Sequence, residues 1–475
     1  MTKLNRILVM PRAIAGTILS FIDADKKNIV CMSLFLMFAW LPFYITFYPG
    51  VGMHDEIYCA QNLIGLNNQP FIYCVYLNIF YKIGRMLNSY TLGMGLCVFS
   101  MMLVMAFTIA VVISWIYNMQ RSKLTCLILL LYYAFTPIVI DYAIAAVKDK
   151  MFAVILLALI PVLCRLAQKT LVYDSSVMWV MFFFLSVCMM WVRNNGLHIF
   201  VGILVIMLLL RRNGRRSMLK VALICLVLGY LPSAYVHKIT KANFTEAIGI
   251  PLQQVCRVVA LKRTISIDDL NYINNIMQTK QIEQKYNKDS IDTIKWSPLF
   301  NRKFLDTHKK QFIRVWFDLG KKYPYDYIKA WIYMTRGFWW YLPWNAGQSK
   351  FGHAYEDSIY LADNKVGMAD GYKISDLDLL PESVKRVLGH YVWDNSIFIP
   401  SGPCLWLTIL ICFLLFLRKR KLYIIALLPA ILCSGTLILA TPISNCFRYT
   451  FYYALCLPIY MFLPFIHGLE TEIKK

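Results

Sequence analysis

The chain has 475 residues, of which 59% are hydrophobic, 15% aromatic and only 16% charged, with a mean hydropathy of +0.54. Water-soluble domains carry about a quarter of their residues as charged side chains, so a soluble globular protein is excluded and an all-α polytopic membrane protein is expected. The formal net charge of +23 would suit a nucleic-acid partner only if the bases gathered in one groove or stripe; most of the excess falls instead in separate short connections between apolar runs.

Residues 1–27 are basic (Lys3, Arg6, Arg12, Lys26, Lys27). No small-residue cleavage site follows the first apolar run, so they read as a cytoplasmic or interfacial N-terminus and not as a cleaved signal. A spanning helix needs about 20 mostly apolar residues. About ten candidates follow, at 28–48, 93–118, 124–141, 151–168, 176–192, 196–211, 218–236, 401–417, 422–440 and 449–466. The Lys/Arg bias of the connections orients them. One set of ends holds clusters such as Arg211/Arg212/Arg215/Arg216 and Arg418/Lys419/Arg420/Lys421; the other holds only Lys82, Arg85, Lys148, Lys150, Arg193 and Arg448. This alternation puts both termini in the cytoplasm. Most of the 14 cysteines sit inside the apolar runs with no CxxC pair and no metal-ligand spacing, as buried small hydrophobes do.

The expected organisation is a core module over 28–237 of about seven spans, with a first external loop at 49–92, then a large, mostly helical extracytoplasmic segment at 238–400 and three further spans with a short tail at 401–475. In the first loop, Tyr48-Pro49-Gly50 is followed by His54, Asp55 and Glu56, and the apolar but interrupted stretch 71–84 suits an interfacial helix. The large segment is rich in Trp and Tyr between Tyr323 and Trp344, which matches an interface belt. A Gly-rich phosphate loop is absent, which argues against a nucleotide-driven pump.

Four separate external connections present charge: Asp55–Glu56, Lys148–Asp149, Arg193-Asn194-Asn195 and Arg448-Tyr449. Charge at membrane depth is costly and usually faces protein or a watery cavity. A carboxylate ringed by Lys and Arg would suit an anionic headgroup beside a general base. Each feature also has a plain structural explanation. Acids after Pro-Gly favour a helix N-terminus, Lys148 and Asp149 can pair while the lysine snorkels, and Arg193-Asn-Asn can be a tight turn.

Taken in order, Tyr48-Pro-Gly, Asp55, Gln61, Lys148-Asp149, Arg193-Asn-Asn-Gly196, Ile250-Pro-Leu-Gln-Gln-Val-Cys-Arg-Val258, Tyr323-Pro and Arg448-Tyr449 resemble a group of bacterial multi-pass proteins related to the GT-C glycosyltransferases. The resemblance runs from 28 to about 465. It implies a GT-C-like fold in a bacterial plasma membrane and transfer of a sugar from a polyprenyl-phosphate donor to a cell-envelope glycan or lipid-linked acceptor. Asp55 takes the general-base role, with Glu56 in reserve. Lys148, Arg193, Arg448 and Arg257 are the expected ligands of the donor phosphate. His54, Gln61, Gln69, Asp149, Asn194, Asn195, Gln253, Gln254 and Tyr449 are expected in support or on the acceptor side. No metal ligand is assigned and no cofactor is required, although a divalent metal is compatible. Related sequences often carry His-Pro where this chain has Gln69-Pro70, and a Gln can donate or accept a hydrogen bond but not titrate. Two alternatives stay open: a polymerase using a lipid-linked oligosaccharide, and a transporter or flippase of an envelope precursor.

Overall fold

The computed structural model describes residues 26–51, 54–61, 69–169, 176–210, 215–240, 244–342, 380–394, 400–441, 443–444 and 446–466. The expected N-terminal segment up to residue 25, the 343–379 part of the large segment and the tail beyond 466 lie outside them, as do the side chains of His54 and Asp55. Among the described residues the chain is all-helical, and extended pairing is limited to three isolated bridges.

The helices used below are α1 (Lys26–Thr46), α2 (His54–Gln61), α3 (Phe71–Met86), α4 (Tyr90–Gln120), α5 (Lys123–Phe135), α6 (Pro137–Ala143), α7 (Lys148–Lys169), α8 (Ser176–Val192), α9 (Gly196–Leu210), α10 (Arg215–Thr240), α11 (Gly249–Ala260), α12 (Lys309–Lys322), α13 (Pro324–Trp339), α14 (Glu382–Asp394), α15 (Ser401–Leu417), α16 (Leu428–Leu439) and α17 (Tyr452–Phe462). Three stretches are long and apolar enough to cross a membrane, namely Lys26–Thr46, Tyr90–Gln120 and Lys148–Ala167. The pair α5–α6, bent by 62° at Thr136–Pro137, makes a fourth if counted as one span. Proline at 137 removes a helical N–H and disfavours helical backbone at the residue before it, which places the bend. Several other expected spans form shorter apolar helices, such as Val177–Val192, Gly196–Leu209 and Leu428–Leu439. At 1.5 Å per residue these span roughly 18–24 Å, less than the ~30 Å hydrocarbon core. The Arg193-Asn194-Asn195 turn and Pro429 at the start of α16 set their ends.

Large apolar side chains point outward along these helices: Phe38 is 76% and Leu209 74% exposed. Water would not tolerate such continuous apolar faces, but lipid does, and the arrangement is that of a polytopic membrane protein. The bundle encloses α7 most completely, packing it against α4, α8 and α17. Glycines let α3 and α4 close up: a Cβ on Gly93 would stand 2.7 Å from the Gly84 Cα. Residues 244–342 build a second, separate core from side chains such as Leu252, Val255, Ile273, Phe312 and Val315. That unit joins the bundle through α13, which packs on α15 and α16, with the Trp331 indole donating to the Ile438 carbonyl at 2.9 Å and the Trp406 indole to the Trp339 carbonyl at 2.7 Å.

Candidate functional site

An uncharged stretch, Tyr142 to Val147, is where the connections meet. After α1 the chain turns at Gly50, whose φ of +114° puts it in backbone that only glycine enters readily. A Cβ there would also lie 2.7 Å from the Ile144 carbonyl oxygen. Glycine thus lets Val51 pair with this stretch: Val51 N–H donates to the Ile144 carbonyl at 3.1 Å and Ala146 N–H to the Val51 carbonyl at 2.7 Å. From α3, the Tyr73 hydroxyl donates to the Ala146 carbonyl at 3.1 Å and the Asn78 amide to the Ala60 carbonyl of α2 at 2.6 Å. From the other end of the chain, Phe451 stacks on the Tyr142 ring at 3.8 Å and Phe447 meets it edge-on. The loops carrying residues 54–61 and 447–450 are therefore seated on one short segment, directly before Lys148 and Asp149.

The charges collected there fall into two linked groups. Glu56 is 1% exposed and its carboxylate stands 4.0 Å from the Lys148 ammonium. The same ammonium donates to the Gln69 side-chain carbonyl. Asp149, 2% exposed, lies between two arginines: Arg193 Nη1 at 3.1 Å and Arg448 Nε at 3.5 Å. Arg193 also donates to the Tyr449 carbonyl at 3.2 Å and lies over the Tyr449 and Phe152 rings; Arg448 lies over Tyr449 as well. Burial disfavours the charged form of both arginines. For Arg193 the Asp149 carboxylate more than offsets this, and for Arg448 the neighbouring Tyr449, followed by Asp149, does so; both pKa values stand above the ordinary guanidinium value. The pair of guanidiniums is a fixed positive element.

Several expected residues fall elsewhere. Lys150 is fully buried and turns back to donate to the Ala143 carbonyl at 3.0 Å, satisfying the C-terminal end of α6. Asn195 donates to the Thr436 hydroxyl at 3.1 Å and ties the α8–α9 turn to α16, while Asn194 is exposed. Arg257 does not join the Lys148–Arg448 group in the contacts it makes. It sits on α11, 3.9 Å from Asp326 and over the Tyr333 ring. Gln253 and Gln254 serve the packing of the same unit, donating to the Asn287 and Tyr327 carbonyls at 2.7 and 3.2 Å, because buried amides must find partners. Gln61 is half-buried at the end of α2. His54 and Asp55 lie on the first turn of α2, and their side chains are outside the described residues. Among the described residues, no three His, Cys, Asp or Glu side chains gather as metal ligands.

Two features were not anticipated. One is the Tyr142–Val147 segment as the common seat; its only sequence signal is a short uncharged stretch between Asp141 and Lys148. The other is Asp149 as the shared partner of two arginines distant in sequence. Arithmetic on charge was legible, but pairing was not.

No curated protein and no solved structure matches the chain. A family model does match, over residues 62–474, which takes in Gln69, Lys148, Asp149, Arg193 and Arg448 and leaves Glu56 outside the matched stretch. The chain belongs to the family of unknown function DUF6020.

Proposed function

We propose that this protein is a GT-C-like membrane glycosyltransferase, with about ten spans and both termini cytoplasmic. It moves a sugar from a polyprenyl-phosphate donor to a glycan or lipid-linked acceptor on the extracytoplasmic side of a bacterial plasma membrane. The observation that carries this reading is the meeting of Lys148, Arg193 and Arg448, from three separate connections, around the buried carboxylates of Glu56 and Asp149. The three side chains bring positive charge together at one place, where a leaving phosphate would need it. Preorganised cations in a water-poor site stabilise a leaving phosphate far better than water does.

In this reading Asp55 takes the proton from an acceptor hydroxyl as its oxygen attacks the anomeric carbon. The new C–O bond forms on the face opposite the phosphate, while the old C–O bond breaks and its electron pair leaves with polyprenyl phosphate. The configuration inverts. General-base help is worth roughly 10²- to 10⁴-fold. The donor's tail stays in the bilayer, which explains why these charges collect at the ends of the spans.

The test is Asp55→Asn expressed in cells lacking the native protein. It should accumulate and fold as the wild type does yet fail to restore the missing glycan. Wild-type restoration would remove Asp55 as the base. One observation favours a second reading, a transporter: the 62° break at Thr136–Pro137 ahead of the fully buried Asp141, since transporters place substrate at broken helices. Uptake or flipping that persists in Asp55→Asn would favour it.

A further inference from the structure

Two cysteines of the first external loop differ from most of the others by their place. They fall between the spans expected at 28–48 and 93–118, Cys59 on α2 and Cys74 on α3. Both are free thiols and both are buried, 1% and 2% exposed. The Cys59 thiol has the Cys74 thiol as a hydrogen-bonding partner, so the two sulfurs lie within reach of one another. The pairing of the helices agrees with this. Asn78 stands one turn after Cys74 on the same face of α3, and its amide donates at 2.6 Å to the carbonyl of Ala60, the residue after Cys59. The two helices therefore meet along the face that carries both cysteines.

The seating of α2 matters because of what it carries. It has only eight residues, too few to hold a helix on its own in water, yet Asp55 and Glu56 both lie on it. In turn α3 is tied to the Tyr142–Val147 segment by the hydroxyl of Tyr73, next in sequence to Cys74. A covalent bond between α2 and α3 would thus fix the helix of Asp55 and Glu56 against the segment that leads into Lys148 and Asp149.

We infer that Cys59 and Cys74 are a disulfide site on the extracytoplasmic face, and that the bond clamps α2 onto α3. The compartment rests on the orientation proposed above; the meeting of the two sulfurs does not. Disulfides form and persist in oxidising compartments outside the cytoplasm, and a cross-link of this kind limits the freedom of the open loop. In forming it the two thiols give up two protons and two electrons. The oxidant is a protein disulfide of that compartment, which accepts them by exchange and leaves as a dithiol. The Cys74 partner, reinforced by burial, pushes the Cys59 thiol well above its ordinary pKa, and exchange proceeds through the thiolate. The bond is therefore made while the loop is open and is shielded once α2 is seated.

The test uses the full chain as cells make it. Cells are quenched with acid, free thiols are blocked with an alkylating reagent, and the digested protein is read by mass spectrometry. The expected result is Cys59 and Cys74 peptides joined, lighter than their sum by two hydrogens, and parted only by a reductant. In parallel, a membrane-impermeant amine reagent reports the side on which the exposed Lys82 lies. Alkyl label on both cysteines overturns the inference. With Lys82 reached from outside it falls alone; with Lys82 shielded, the orientation and the transfer reading fall with it. Joined peptides with Lys82 shielded would keep the bond and overturn the orientation. The clamp itself is read by hydrogen exchange of the purified chain: Cys59→Ala with Cys74→Ala, or reduction of the wild type, should speed exchange of the α2 amides about tenfold and leave α7 unchanged. Exchange in α2 that matches the untreated wild type in both would overturn the clamp.

Discussion

Without the Asp149 carboxylate, Arg193 and Arg448 would face each other beside the Tyr449 ring with their shared counter-charge gone. Breaking a buried pair by removing one partner costs about 3–5 kcal/mol, because the remaining charge stays desolvated. Asp149→Asn should therefore lower stability by about that amount, read as a fall in the thermal midpoint of the detergent-solubilised chain. Arg314→Ala, at an exposed pair, should change it by less than about 1 kcal/mol. Equal, small effects from both would mean that Asp149 is not the anchor. At this scale the sequence was informative about which residues carry charge near the ends of apolar runs, and uninformative about their partners. Lys148 and Asp149 are adjacent, yet each turns to a different partner: Lys148 to Glu56 and Gln69, Asp149 to the two arginines. Gln69 accepts a hydrogen bond from Lys148 and so orients that ammonium. Pairing depends on how loops far apart in sequence are seated, and no local pattern encodes that.

Among the elements, apolar runs located the helices well because hydrophobic length survives any tertiary arrangement. Their ends were less legible. Ser89 and Ser122 cap α4 and α5 through their hydroxyls, each accepting from a backbone N–H at 3.2 Å, and such caps are readable in sequence. The bend between α5 and α6 was foreshadowed only by Pro137. The resemblance puts Arg257, Gln253 and Gln254 among the site residues through the stretch Ile250–Val258, but α11 turns both glutamines into contacts of its own unit. That unit also holds a buried charged knot: Lys295, 2% exposed, reaches Glu246 at 2.5 Å and Asp292 at 3.7 Å. Burial raises the Asp292 pKa above the ordinary carboxylate value, with Lys295 pulling it back. A carboxyl with a raised folded pKa binds its proton more readily folded than unfolded. Its contribution is complete below the unfolded pKa and is lost as pH rises through the folded one. Thermal unfolding of the full chain, stepped upward through the carboxylate range, should lose more stability in the wild type than in Asp292→Asn. Identical pH slopes would show that Asp292 does not contribute in this way.

For the molecule as a whole, composition gave the class and the long apolar runs gave a polytopic helical protein, but not its packing. Nothing in the sequence says that α7 lies innermost, or that residues 244–342 form a unit with its own core beside the bundle. The placement of that unit follows from contacts made by Trp331, Trp406 and Asp289 across more than 65 positions, and such long-range pairing is invisible to periodicity. What the whole arrangement does share with the sequence reading is a common address: charges from separate connections gather at one end of the helices. The central claim is that this address handles a lipid-borne sugar phosphate. The most direct measurement is mass spectrometry of polyprenyl-phosphate lipids in membranes from cells with the protein, without it, and with only Asp55→Asn. The account predicts that one monosaccharide-bearing lipid builds up in the last two and not in the first. Unchanged lipids in both, with the protein expressed in the wild type, would contradict it, and a long oligosaccharide lipid in their place would point to a polymerase.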